Sequence, residues 1–272
     1  MERLRQRLSD ILGKAEGTWG VVVEDLDRGV RFEHGEEEVF IAESVIKVPI
    51  MAAVYAAAQQ GRFSMDDRIA LRREDRVGGS GMVFALSPGL RLTIREWVTL
   101  MIIQSDNTAT NVLIDLIGKE QIDATMRELG MKSSKYSRKL MIYPADVAEN
   151  NTITPKDVSR MLGAIATGRV LSHQACEEMI AIMKKQQWRN GLPSMLPGGP
   201  VDGSTPGETD WEIACKSGWD TGRQHDVGVL YAKGRRFSIV ALSRNVKAEA
   251  ALHVLGRLGK EVYEYATQKG SP

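Results

Sequence analysis

Apolar residues recur three and four apart at the start of the chain. Leu4, Leu8, Ile11 and Leu12 share one face, which predicts an amphipathic helix over about the first fifteen residues. The period then changes. Residues 19–26 are rich in β-branched and aromatic side chains, Asp27-Arg28-Gly29 supplies turn chemistry, and Val30-Arg31-Phe32 restarts an alternating pattern, so a β-hairpin is expected here. From residue 44 to about 185 the spacing is helical. Residues 45–60 are Ala-rich, residues 93–103, 108–117 and 120–129 are periodic, and Thr154-Pro155 opens a further helix that ends near Gly168. Residues 132–154 show no clear period, and a segment of that length without regular structure in a compact protein is more often functional than incidental. After a Gly- and Pro-rich stretch, residues 192–207, the alternating pattern returns in three strands, 213–217, 226–232 and 237–243. Lys233-Gly234-Arg235 provides the turn between the last two. A helix over 247–267 follows, with Leu252, Leu255, Leu258 and Val262 on one face.

Strands from both ends of the chain therefore bracket a helical middle. The expected fold class is α+β: one antiparallel sheet flanked by the terminal helices, with an all-α lobe beside it. In residue terms, 1–43 and 190–272 form the sheet domain and 44–189 the helical domain. No internal repeat and no low-complexity tract interrupts this order.

Composition narrows the function. The chain has 272 residues, 43% hydrophobic and 26% charged, as expected of a folded globular protein. Its 36 basic residues against 35 acidic ones leave a net charge of +1, which removes the electrostatic case for nucleic acid or an anionic membrane as partner. The longest apolar stretch, residues 48–58, is too short for the ~20 residues of a membrane span. The charged start, Met1-Glu2-Arg3-Leu4-Arg5, does not read as a signal peptide, so a cytoplasmic, monomeric protein is expected. Two distant cysteines, Cys176 and Cys215, and four scattered histidines provide neither a disulfide framework nor metal-ligand spacing, so neither metal nor cofactor is expected. Phosphate-binding and dinucleotide-binding glycine motifs are absent, as is G-x-S-x-G. Gly78-Gly79-Ser80-Gly81 reads as a flexible loop.

Three short motifs remain. Ser44-Val45-Ile46-Lys47 opens the first helix of the middle region, and Ser44 is the only serine followed three residues later by lysine. Positions three apart share a helix face, so the Lys47 amine can approach the Ser44 hydroxyl. Free backbone N–H groups at a helix start can also support an oxyanion. Ser105-Asp106-Asn107 falls between two predicted helices, where Asp106 or Asn107 is expected to cap the second. Lys216-Ser217-Gly218 lies at the end of the first late strand. Each motif alone has an ordinary structural explanation as a cap, a solvated lysine or a turn. Their occurrence together in this order is far more specific.

In this order and spacing the chain resembles the penicillin-recognising serine enzymes, and among them the class A β-lactamases. The likeness extends over nearly the whole chain and includes Val45-Ile46-Lys47-Val48-Pro49-Ile50, Leu100-Met101-Ile102 and Thr108-Ala109-Thr110-Asn111. The third motif has Ser217 where the commoner form has threonine. The resemblance implies that Ser44 is a nucleophile forming an acyl-enzyme and that Lys47 takes or relays its proton. It implies that Ser105 passes a proton to the leaving nitrogen and that Asn107 holds the substrate's amide side chain. Lys216, Ser217 and Gly218 would bind the substrate carboxylate, with Arg223 as a second anchor, while the N–H groups of Ser44 and Trp219 form the oxyanion hole. Asp106 is structural in this scheme.

One feature departs from the class A pattern. The glutamate that activates the deacylating water, within E-x-x-L-N, has no counterpart in residues 132–154. Arg138-Lys139-Leu140-Met141 stands in its place, and the segment is similar to that of β-lactamase-related serine hydrolases. The acids available there are Asp146 and Glu149, of which Glu149 is the first candidate for the base. The expected activity is therefore opening of a β-lactam or similar acyl donor through acyl-Ser44. The alternatives are a D-alanyl-peptide hydrolase or esterase, and a β-lactam-binding protein that acylates but deacylates poorly.

Overall fold

The structure is a computed structural model describing residues 1–141, 149–198 and 209–268. A five-stranded antiparallel sheet forms its centre, in the order β2-β1-β9-β8-β7. Strands β1 (Thr18–Asp25) and β2 (Val30–His34) come from the start of the chain, and β7 (Trp211–Asp220), β8 (Arg223–Ala232) and β9 (Arg235–Arg244) from its end. Pairing of β1 with β9, with Val22 opposite Val240, joins the two ends into one sheet.

Both faces of the sheet are buried, and the two-residue period of the strands explains how. Val21, Val23, Cys215, Ile239 and Ala241 point to one side. There they meet α1 (Glu2–Leu12), through Leu4, Leu8 and Ile11, and α8 (Ala248–Thr267), through Leu255, Leu258 and Val262. Val22, Ala214, Val240 and Leu242 point to the other side and join the core of the helical region. That region comprises α2 (Lys47–Gln59), α3 (Ile94–Ile103), α4 (Asn107–Ile117), α5 (Lys119–Glu128), α6 (Pro155–Ala166) and α7 (His173–Lys184).

Helix starts follow their caps. Thr93 and Glu96 form a capping box on α3, the Asp106 carboxylate accepts from Ala109 N–H at the start of α4, and Thr154 caps α6 with Pro155 in its first turn. Helix α2 is different. Its residues from Lys47 to Ala57 are all buried, so it runs through the core and is apolar on every side.

Several boundaries differ from the sequence reading. The β7 strand continues through Gly218 and Trp219 to Asp220, because Gly218 pairs with His225 and Trp219 with Gln224. Lys216-Ser217-Gly218 therefore lies inside a strand and not at its end. The β8–β9 turn is only Lys233-Gly234, with φ of 49° and 73°, the left-handed pair that suits a two-residue hairpin. Two short sheets carry no alternating signal: β3 (Phe40–Ile41) pairs with β6 (Thr152–Ile153), and β4 (Arg68–Ala70) pairs with β5 (Arg91–Thr93). The β3–β6 pair draws the segment after residue 132 back against the approach to Ser44. Among the described residues, no helix is long and apolar enough to cross a membrane.

Candidate active site

Ser44 lies in a single 3-10 turn, Glu43–Ile46, that passes directly into α2. The turn begins with Glu43 at φ 44°, a left-handed conformation unusual for a long side chain. Strand β7 passes so close that a Cβ at Gly218 would stand 2.9 Å from Ser44 N and 3.0 Å from Glu43 Cβ. Only glycine permits that approach. Buried His225 steadies the same corner from β8, its Nε2 lying 2.9 Å from the Ile41 carbonyl while its Nδ1 accepts from Ser243 N–H at 3.1 Å.

Lys47 is fully buried, and its Nζ is the hub of the site. It lies 2.9 Å from Ser44 Oγ, 2.6 Å from the Ser105 carbonyl, 3.0 Å from Ser105 Oγ and 2.9 Å from Asn107 Oδ1. Burial, reinforced by the nearby Lys216 cation, pushes the Lys47 pKa well below the ordinary lysine value. A neutral amine has two N–H donors and one lone pair. The donors satisfy the Ser105 carbonyl and Asn107 Oδ1, and the lone pair can face the Ser44 hydroxyl. Across the 3-10 turn and the first residue of α2, the three-residue spacing thus delivers the contact that the sequence suggests.

Ser105-Asp106-Asn107 forms the corner between α3 and α4. Ser105 has φ 53° and is wholly buried, with its Oγ 3.0 Å from both lysine Nζ atoms. Asp106 is the cap, and its other oxygen also accepts from the backbone N–H of Met82 and Val83 at 2.7 and 2.8 Å. The loop at Gly78–Gly81 is therefore not merely a flexible connector. Asn107 donates to the Gly78 carbonyl at 3.0 Å, its own backbone N–H donates to Ser80, and a Cβ at Gly81 would lie 2.1 Å from the Asp106 carboxylate. The glycine cluster in the sequence is thus a signal for close backbone approach and not for flexibility alone.

Lys216, also fully buried, donates to Ser105 Oγ at 3.0 Å and to the Ser217 carbonyl at 2.7 Å. Burial lowers its pKa to about 7, against the opposing pull of Asp226. Ser217 Oγ is buried without a hydrogen-bond partner among the described residues.

Ser44 and Asn107 open from this cluster onto a cavity of about 690 Å³ whose walls also include Ser80, Arg138, Trp219 and Arg223. Trp219 is 39% exposed and stacks at 57° on Trp188, ring centres 4.9 Å apart. Two expectations change. Arg223 does line the cavity, but its Nε donates to Glu43 at 2.5 Å and its Nη2 to Asp220 at 3.1 Å, so it is not a free anchor. Glu149 is exposed and lies outside the cavity wall, which Asn150 and Asn151 line instead, Asn151 being fixed by the backbone N–H groups of Ser137 and Arg138 at its side chain. Asp146 falls outside the described residues.

Leu140, in place of the expected loop acid, lines the cavity, and its backbone is held at both ends by Asn111. Asn111 is one helical turn beyond Asn107 on α4, a spacing that could have marked it in the sequence. Among the described residues no group of His, Cys, Asp and Glu side chains is arranged to hold a metal ion.

Comparison with known proteins gives the same answer as the geometry. The family model described as "Beta-lactamase enzyme family" matches residues 3–266. A curated β-lactamase of Rhodobacter capsulatus is 29% identical over 241 residues, covering 86% of this chain and 77% of that protein. The crystal structure of a β-lactamase from Sphaerobacter thermophilus superposes with a TM-score of 0.87 at 30% identity, covering 98% of each chain. An ancestral (GNCA) class A β-lactamase superposes with a TM-score of 0.84 at 25% identity, covering 96% of this chain and 99% of that one. With that family model spanning nearly the whole chain, and Lys47 joining Ser44 to Ser105 and Lys216 at the edge of the cavity, the chain belongs to the β-lactamase enzyme family, as a serine hydrolase of the class A type.

Proposed function

We propose that the protein opens β-lactam rings by transferring the acyl group to Ser44, with the neutral Lys47 amine as the base. The observation that carries this reading is the 2.9 Å separation of Lys47 Nζ from Ser44 Oγ in a site that depresses the lysine's pKa. Lys47 takes the hydroxyl proton as Ser44 Oγ attacks the lactam carbonyl. The developing oxyanion is received by the N–H groups of Ser44 and Trp219, each donor contributing roughly 3–4 kcal/mol. The C–N bond then breaks, and Ser105, with its Oγ between Lys47 and Lys216, hands a proton to the leaving nitrogen. Asn107 retains one N–H and one lone pair after binding Gly78 and Lys47, enough for a substrate amide. Ser217 Oγ and Lys216 receive the substrate carboxylate.

Hydrolysis of the ester is the slower half in this reading. The carboxylates that line the cavity among the described residues, Glu43 and Asp220, are both engaged by Arg223, and Leu140 lines the same wall without a titratable group. The neutral Lys47 amine is left to activate water, so acyl-enzyme accumulates during turnover. Rapid mixing with a chromogenic cephalosporin tests this: a burst of one equivalent per protein, followed by a slower steady phase, is expected. A linear course without a burst would show that deacylation is not the slow step.

A further inference from the structure

The Glu43–Arg223 pair joins residues 180 positions apart and has no place in the steps above. Glu43 immediately precedes the nucleophile, and Arg223 opens β8 directly opposite Asp220 on β7. Trp219 lies between Gly218 and Asp220 on that hairpin. The pair therefore connects the turn that carries Ser44 N–H to the strand that carries Trp219 N–H. Both side chains are largely withdrawn from solvent, 16% and 26% exposed. Burial raises the Glu43 pKa and the Arg223 guanidinium opposes that rise, so the carboxylate depends on its partner.

Where turn and strand approach most closely, Gly218 has no side chain to tie them, and His225 reaches the chain only at Ile41, two residues before Glu43. The left-handed φ of Glu43 leaves the turn in a conformation that a long side chain does not favour without a restraint. We propose that Glu43 and Arg223 are positioning residues: their ion pair clamps the nucleophile turn to the β7–β8 hairpin and thereby fixes the spacing of the two oxyanion-hole N–H groups. This rests on Ser44 being the nucleophile. Arg223 acts through Glu43 and not by meeting the substrate carboxylate, which distinguishes the clamp from an anchor role.

The two roles predict opposite kinetics. The test measures the acylation rate constant and the non-covalent dissociation constant separately, with a penicillin and with a p-nitrophenyl phosphonate monoester. In the phosphonate reaction a Ser44 Oγ–P bond forms and p-nitrophenolate departs, so the oxyanion hole is probed without a lactam. For Arg223→Gln and Glu43→Gln the clamp predicts a roughly 10- to 100-fold slower acylation and phosphonylation with binding little changed. The double variant should be no worse than either single one, and Arg223→Lys should recover part of the rate. Glu43→Gly, which relaxes the backbone but removes the ion pair, should lose the rate as well. Unchanged rates in folded variants, additive losses, or full activity in Glu43→Gly would overturn the proposal. So would weaker binding of the penicillin at an unchanged acylation rate, the signature of an anchor. If the wild-type protein reacts with the phosphonate but with no β-lactam, the substrate reading fails and the phosphonylation rates still decide the clamp. Reaction with neither would overturn both.

Discussion

Replacing Lys47 by methionine removes the amine and keeps nearly the same length and volume. The structure indicates how two consequences compare. For stability, the Ser105 carbonyl and Asn107 Oδ1 lose a donor at 2.6 and 2.9 Å, at a cost of about 1–3 kcal/mol for each buried acceptor. Against this, an apolar side chain avoids the burial cost that depresses the Lys47 pKa. The net loss should not exceed about 3 kcal/mol, which leaves a domain of ordinary stability folded. For activity, removal of a general base costs about 10²- to 10⁴-fold, or ~3–5 kcal/mol of barrier. The rate loss should therefore appear in a protein that is still folded. Single-turnover acylation at pH 7, quenched and read by intact mass, measures it, with circular dichroism and a denaturant melt reporting the fold. A folded Lys47→Met protein acylating within tenfold of wild type would refute the assignment of the base.

Other consequences follow from the same geometry. Lys216 carries its charge below a pKa of about 7 and loses it above, so substrates with a carboxylate should bind progressively more weakly from pH 7 upward, by at most about tenfold per pH unit, while carboxylate-free analogues should not; equal pH dependence for both would remove Lys216 from carboxylate recognition. Gly218→Ala places a Cβ 2.9 Å from Ser44 N and should slow acylation about 100-fold with a modest fall in melting temperature, so wild-type kinetics in that variant would contradict the close approach of strand and turn. Leu140→Glu sets a carboxylate in the cavity on a backbone that Asn111 holds at both ends, and should shorten the life of the acyl-enzyme without altering its formation; an unchanged lifetime would mean that the side chain does not reach the ester.

What could be read in the sequence was what depends on near neighbours. The Ser44–Lys47 contact follows from helical spacing, and Asp106 was already one of two named caps. The sheet built from both chain ends follows from the return of alternation from residue 213 onward. What could not be read depends on contacts between distant segments. Asp106 meets the backbone of Met82 and Val83 more than twenty residues earlier, and only the fold shows why Gly81 has no room for a side chain. Nothing local in the sequence shows that Arg223 pairs with Glu43, 180 positions away, and so is not free for a substrate. Charge alone marks Glu149 in the sequence, and only the fold shows that its position is at the surface while Asn150 and Asn151 line the cavity. The extension of β7 beyond Ser217 has no clear local signal because Gly218 disfavours a strand, and its pairing with His225 overrides that preference.

The most direct measurement is an intact-mass time course with penicillin, followed by peptide mapping of the adduct. A single penicilloyl group on the peptide that contains Ser44, absent from Ser44→Ala and formed at a rate that falls with Lys47→Met, is the expected result. An adduct on another residue, or one that persists in Ser44→Ala, would contradict the account.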